Sequence, residues 1–363
     1  MQQMQEQIAA RTARFLKLTG VRLPVMNAPM SAVSGPEMAA AVSRAGGLGV
    51  LAGDELSAQE LAQAIDEVRR LAGSDARFAV NIRVPRAKPA TVDELALQEK
   101  MLQALEDLAV QLGVKPGTLE RLPDFDAQFD VLVEKRVPVV SAAFGGLREE
   151  YDERLKQAGL LWMGTACTLR EAKVLRAAGA DMVVVQGIEA GGPRLNFEAD
   201  DSEASLGLHV LAAHAARATQ LPVIASGGVG TPEQAFAALA AGASAVMTGS
   251  ILLRTHESRA SSNFKALLPL MSDVSMRPTR CFSGRLTRVY PTDLVQALEE
   301  SGLAFAPYPL QREVMLPLLR AAQRLGRDDL ACLPVGQMGM LAREESVQRS
   351  IERLTCCLPS AKL

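Results

Sequence analysis

Histidine, cysteine and aromatic residues are all scarce here: three histidines, five cysteines and 4% aromatics in 363 residues. Three histidines leave little for a metal centre or a Ser-His-Asp triad, and no G-x-S-x-G elbow is present, so hydrolysis is disfavoured. His209 and His214 are five apart, which on a helix separates them by roughly 140° and prevents them from sharing one metal ion. So few rings also exclude the stacking platforms that single-stranded nucleic acid needs. The cysteines (Cys167, Cys281, Cys332, Cys356 and Cys357) are odd in number and form no C-x-x-C, which points away from disulfides and zinc and toward a cytoplasmic protein. No apolar run reaches the ~18 residues of a membrane span, and the first 16 residues lack the apolar core of a secretory signal. A net charge of -2 gives too weak a field to gather nucleic acid or anionic lipid, so neither partner is expected.

What the chain does have is 48% hydrophobic content, enough for a large core, and 28 glycines. Eight short apolar runs read as strands: Leu23–Met26, Leu48–Leu51, Phe78–Ile82, Val137–Ala142, Leu160–Gly164, Met182–Gln186, Pro222–Ser226 and Ala245–Gly249. Between them lie helical patterns, three of which start near Ser57, Thr168 and Thr231; the two threonines are natural N-caps, and Pro232 suits a first helical position. Helix end, Ala-Gly turn and strand recur as a weak repeat at Ser43, Gln157, Arg176 and Leu239. Eight such units predict an α/β fold, a (β/α)8 TIM barrel, with a doubly wound open sheet as the second choice. The barrel is expected over 15–258, with a helical insertion at about 85–136, and a helical lobe over the barrel mouth is expected at 259–363.

Barrel chemistry collects at the C-terminal strand ends, and loops after the last two strands often hold a phosphate. Ser226-Gly227-Gly228 leads into the helix at Thr231, and Thr248-Gly249-Ser250 follows the eighth strand. A tight turn would explain either glycine cluster alone; the pair favours a phosphate site, where backbone N–H groups face the anion. Gly46-Gly47-Leu48-Gly49 precedes a strand rather than following one, so it is no dinucleotide fingerprint.

Several segments in order make the reading specific: LPVMNAPMSAVSGPEMAAAVSRAGGLGVL, FAVN, SAAFG, GADMVVVQGIEAGG, LPVIASGG, GSILLRTHES, APYPLQ and VGQ. From about Phe15 to Leu341 the chain resembles the nitronate monooxygenases, also called 2-nitropropane dioxygenases, which are FMN-dependent barrels. The resemblance implies that Ala28, Pro29 and Met30 line the flavin ring, that Asn81 and Gln186 hydrogen-bond it, and that Gly191 and Gly192 pass close to it. It implies an FMN phosphate site at Gly227, Gly228, Gly249 and Ser250, with Ser226 also among the cofactor-binding residues. Gly336 and Gln337 match a Gly-Gln near the flavin, and Tyr308 matches a tyrosine at the substrate cavity.

The departures are as informative. Pro193 stands where the family pattern has the histidine that removes a nitroalkane α-proton, and Ala143 replaces a second histidine. A tyrosine and a lysine that some members carry after Tyr308 correspond to Arg312 and Leu316. Proline cannot act as a general base. Preformed nitronates are already deprotonated, so the expected activity is FMN-dependent oxidation of an alkyl nitronate or related small anion with O2. Arg194 and Arg312 are candidate anchors for that anion, against the plainer reading of surface arginines. The alternatives are an NAD(P)H-dependent FMN reductase of an enoyl thioester or quinone, and a catalytically silent FMN-binding protein. Apolar helices beyond Ser258 could support a homodimer.

Overall fold

All eight apolar runs form strands, with ends shifted by at most two residues. In the computed structural model, which describes residues 2–111, 113, 119–200 and 203–358, they are Val25–Asn27, Gly49–Ala52, Phe78–Arg83, Val139–Ala143, Leu161–Ala166, Met182–Gln186, Val223–Ser226 and Ala245–Thr248. Each pairs in parallel with its neighbours in chain order, and the first pairs with the eighth through Val25↔Val246 to Asn27↔Thr248. A single parallel bridge, Met26↔Leu48, joins the first two strands and completes the ring. The fold is a (β/α)8 TIM barrel.

Strand alternation divides side chains between the barrel interior and the helical layer. Met26, Val50, Ala79, Val139, Met163 and Ile224 belong to the interior cluster, joined by the fully buried Phe15 of the leading helix Gln2–Thr19. Two residues further along the same faces, Asn81, Ser141, Thr165 and Ser226 take the inward positions, and Gln186 likewise follows Val184. The interior therefore changes from apolar to polar toward the C-terminal end, and this change places the site.

The helices begin as their caps dictate. Ser57, Thr168 and Thr231 each form a capping box, with Glu60, Glu171 and Gln234 respectively. Such a cap contributes about 1 kcal/mol. Gly179 and Gly242, at φ 96° and 128°, turn the chain from helix to strand in a conformation that only glycine adopts without strain.

Within the segment expected as an insertion, two helices behave differently. Val92–Gln111 packs its Met101 and Leu105 with Val314 and Leu318 of the helix Leu310–Arg324, away from the barrel core. Phe125–Glu134 buries Phe129 and Leu132 in the barrel's own outer core and serves as a barrel helix. Residues 114–118 lie outside the described part of the chain, as do 359–363 of the expected lobe. Beyond Ser258 the helices are accompanied by a small antiparallel sheet that the strand reading left out: Arg277–Thr279, Thr287–Tyr290 and Leu333–Pro334, with Gly192–Pro193 from the barrel. The last helix, Val347–Thr355, returns to the barrel and buries Val347, Ile351 and Leu354 there. Among the described residues no helix is long and apolar enough to cross a membrane.

Candidate active site

At the C-terminal end of the barrel a cavity of about 190 Å³ opens above the polar layer. Its walls hold fifteen of the residues singled out in the sequence: Ala28, Pro29 and Met30 after the first strand; Asn81 and Ala143; Gln186; Gly191, Gly192 and Pro193; Ser226, Gly227 and Gly228; Gly249 and Ser250; and Gly336. Chain segments more than 300 residues apart thus meet at one place.

One flank is built from backbone. Gly227 and Gly228, at φ 112° and 67°, follow the seventh strand, and Gly249 and Ser250 follow the eighth. The N–H groups of all four meet no acceptor among the described residues. All four residues are half-buried and line the cavity just before a helix start, an arrangement suited to receiving an anion. Ser250 Oγ accepts from Gly336 N at 2.8 Å and ties this flank to the C-terminal segment. Gly191 is required by close approach, because a Cβ there would collide with the backbone of Val335 and Gly336.

The polar layer is oriented from within. Ser141 Oγ donates to Asn81 Oδ1 at 3.0 Å, so the group that Asn81 can offer a ligand is its amide Nδ2. Gln186 is more constrained: Nε2 donates to Pro193 O at 3.0 Å, while Oε1 accepts from Leu195 N and from Cys167 Sγ, both at 3.1 Å. Burial pushes the Cys167 thiol up to about 12, which keeps it a neutral donor. The Pro193 loop is held from the other side by the small sheet, where Thr287 pairs with Pro193 and Arg288 with Gly192.

Four sequence assignments change. Arg194 is buried and donates to the carbonyls of Gln186, Gly187 and Ala204, so it braces the loop and does not reach the cavity as an anion anchor. Arg312 is engaged by Glu55, with its Nε 2.9 Å from Oε1, and is likewise no free anchor. Gln337 is exposed and touches the site only through its N–H, which donates to Glu189 O; Met338 supplies the wall instead. Tyr308 lines not this cavity but a neighbouring one, its ring stacked on Phe144, which lines both, with centroids 4.6 Å apart.

The sequence reading missed an ionic cluster on the mouth side. Arg83 pairs with Asp54 and Glu55 and donates to Ser31 Oγ at 3.3 Å, and Ser31 Oγ donates to Asp54 at 2.8 Å. Burial pushes the Asp54 carboxyl above its ordinary value; at Glu55 burial acts the same way, but Arg312 and Arg83 outweigh it and hold the group at about 2. Arg83 follows Asn81 by two residues on an inward face, so strand period was the one available signal. The other wall carboxylate, Glu189, caps the helix Leu208–Thr219 by accepting from Leu208 N. All three histidines are exposed, and none lines the cavity.

An anion cradle beside a walled cavity with inward amide donors fits a phosphorylated flavin: Gly227, Gly228, Gly249 and Ser250 would hold its phosphate, and Asn81 would donate to its ring. The family model of the nitronate monooxygenases matches residues 12–356. Nitronate monooxygenase from Pseudomonas aeruginosa is 35% identical over 341 residues, covering 92% of this chain and 95% of that protein. A probable nitronate monooxygenase from Bacillus subtilis is 32% identical, with coverage of 94% and 97%. Among solved structures, nitroalkane oxidase from Streptomyces ansochromogenes superposes with a TM-score of 0.85 at 35% identity, covering 94% and 97%. FabK from Thermotoga maritima gives 0.72 at 26% identity, covering 94% of each chain. The chain belongs to the nitronate monooxygenase family and is a flavin-dependent oxidoreductase.

Proposed function

We propose that this protein binds FMN and oxidises preformed alkyl nitronates, or a closely related small anion, with O2 as the electron acceptor. The observation that carries the reading is a cavity whose described walls hold Gly227, Gly228, Gly249 and Ser250 but no histidine, with Pro193 and Ala143 at the positions that the sequence resemblance assigns to histidines. When bound, the flavin accepts the substrate's electrons and passes them to oxygen. The chain's own part is to hold the phosphate on backbone N–H groups, to donate from Asn81, and to shape the pocket with Ala28, Pro29 and Met30. Both wall carboxylates are already engaged, Asp54 by Arg83 and Ser31 and Glu189 by a helix N-terminus, which supports a site that does not depend on removing a proton from carbon.

Oxygen consumption decides the matter. The flavin-loaded protein should consume O2 with ethyl or propyl nitronate and scarcely with the neutral nitroalkane. Equal rates on both would refute the role given to Pro193. Bleaching of the flavin by NADH or NADPH under anaerobic conditions would instead support reduction of an enoyl thioester or quinone.

A further inference from the structure

Beside the flavin cavity lies a second, larger one of about 1050 Å³, whose walls combine apolar groups such as Val84, Phe125, Leu147 and Pro307 with charged ones such as Arg86 and Asp126. Among the described residues, Phe144 alone lines both. Its ring stacks on Tyr308 at an interplanar angle of 30°, and the Arg285 guanidinium lies 5.1 Å from the Phe144 centroid and 5.6 Å from that of Tyr308. Arg285 is itself fixed, with Nη1 donating to Asn196 O at 2.7 Å. Arg83, on the cavity wall, lies 5.9 Å from the Tyr308 centroid.

Phe144 adopts φ 66°, a left-handed conformation that costs a residue with a Cβ about 1–2 kcal/mol. Strain of this kind persists where the surroundings enforce it, and it collects at functional sites. Stacking and the cation–π contact each return about 1 kcal/mol, enough to hold the ring in place. The strained backbone therefore sets an aromatic partition between the two cavities.

We propose that the Phe144–Tyr308 pair sets the length limit of the substrate, confining this protein to short-chain nitronates, and that the larger cavity is reached only when the Phe144 ring is removed. The inference rests on the nitronate reading for the head group, but the wall itself does not. A chain growing from the first cavity toward the second would meet the Phe144 ring, the side chain that lines both. Without the ring it would enter the larger cavity, where each methylene buried against the apolar part of the wall adds roughly fourfold to binding.

The test uses Phe144→Gly, which suits the left-handed backbone, and Phe144→Leu, which keeps an apolar side chain with less reach. Flavin-loaded wild type and variants are titrated with acetate, butyrate and hexanoate, read by perturbation of flavin absorbance, and are assayed with ethyl, butyl and hexyl nitronate. In wild type, affinity and kcat/KM should fall beyond the short chains. In Phe144→Gly the hexyl-to-ethyl ratio should rise at least tenfold, with Phe144→Leu in between. The same length dependence in all three proteins, by both readouts, would overturn the proposal, as would a wild type that already prefers hexyl chains. If no protein oxidises any nitronate, the functional reading fails, while the alkanoate titration still decides on the wall.

Discussion

The side-chain amide of Gln186 donates to the carbonyl of Pro193 at 3.0 Å, and so the last residue of the sixth strand fixes the loop that forms one wall of the cavity at the barrel's C-terminal end. The same side chain accepts from Leu195 N, making a two-point brace across a proline that has no N–H of its own. Gln186→Leu leaves Pro193 O and Leu195 N without these partners and should destabilise the loop by about 1–3 kcal/mol. Hydrogen exchange at the Leu195 amide should quicken while distant barrel amides are unchanged. Protection equal to wild type would mean that the small sheet alone holds the loop.

Pro193→His should return a titratable ring to the cavity wall. Positioned acid–base groups contribute about 100-fold or more, so the rate on neutral nitroethane relative to ethyl nitronate should rise by that order. The gain should appear as pH rises through about 6.5, as the imidazole becomes neutral and able to accept a proton. Steady-state oxygen uptake across pH 5.5 to 8.5, on both substrates, provides the measurement.

Gly228→Ala places a Cβ at φ 67°, 3.1 Å from Glu189 Cβ, on the proposed phosphate cradle. The strain of about 1–2 kcal/mol is relieved only by turning the N–H away. Flavin affinity should drop about tenfold, which corresponds to 1.4 kcal/mol. Equilibrium dialysis of the refilled apoprotein would read it. An unaltered affinity would move the phosphate away from this loop.

Glu55 joins Arg312 of the helix Leu310–Arg324 to Arg83 of the barrel. Its folded-state pKa lies at about 2, below the ordinary 4.5, so its contribution is complete above pH 4.5 and is lost as the pH falls toward 2. Asp54 is shifted upward by burial and offsets part of this dependence. Glu55→Gln leaves buried guanidinium charge uncompensated and should cost about 3 kcal/mol at neutral pH. Unfolding monitored by the single tryptophan, the buried Trp162, should show the variant less stable at pH 7 and with a shallower decline below pH 4.5.

The eight strands, their order and the helix starts were legible because each rests on a local signal. Apolar runs of four to six residues, Thr168 and Thr231 with an acid or amide three residues on, and Ala-Gly turns act within one turn of chain. The glycines after the last two strands, Gly227-Gly228 and Gly249, were equally readable as residues at strand ends. The charged and aromatic parts of the site were not. Whether Arg194 faces a ligand or three carbonyls, and whether Arg312 is free or meets a glutamate 257 positions earlier, depends on which groups the closed barrel brings into contact. A guanidinium removed from water takes the nearest acceptors available, and sequence spacing does not encode that distance. Phe144 shows the same limit, because its left-handed backbone and its contact with Tyr308 exist only once the C-terminal segment lies over the mouth. The sequence by itself determined the barrel and the glycines at the ends of its last two strands; tertiary packing decided the walls around them, since polar and aromatic partners are chosen by proximity in the folded state.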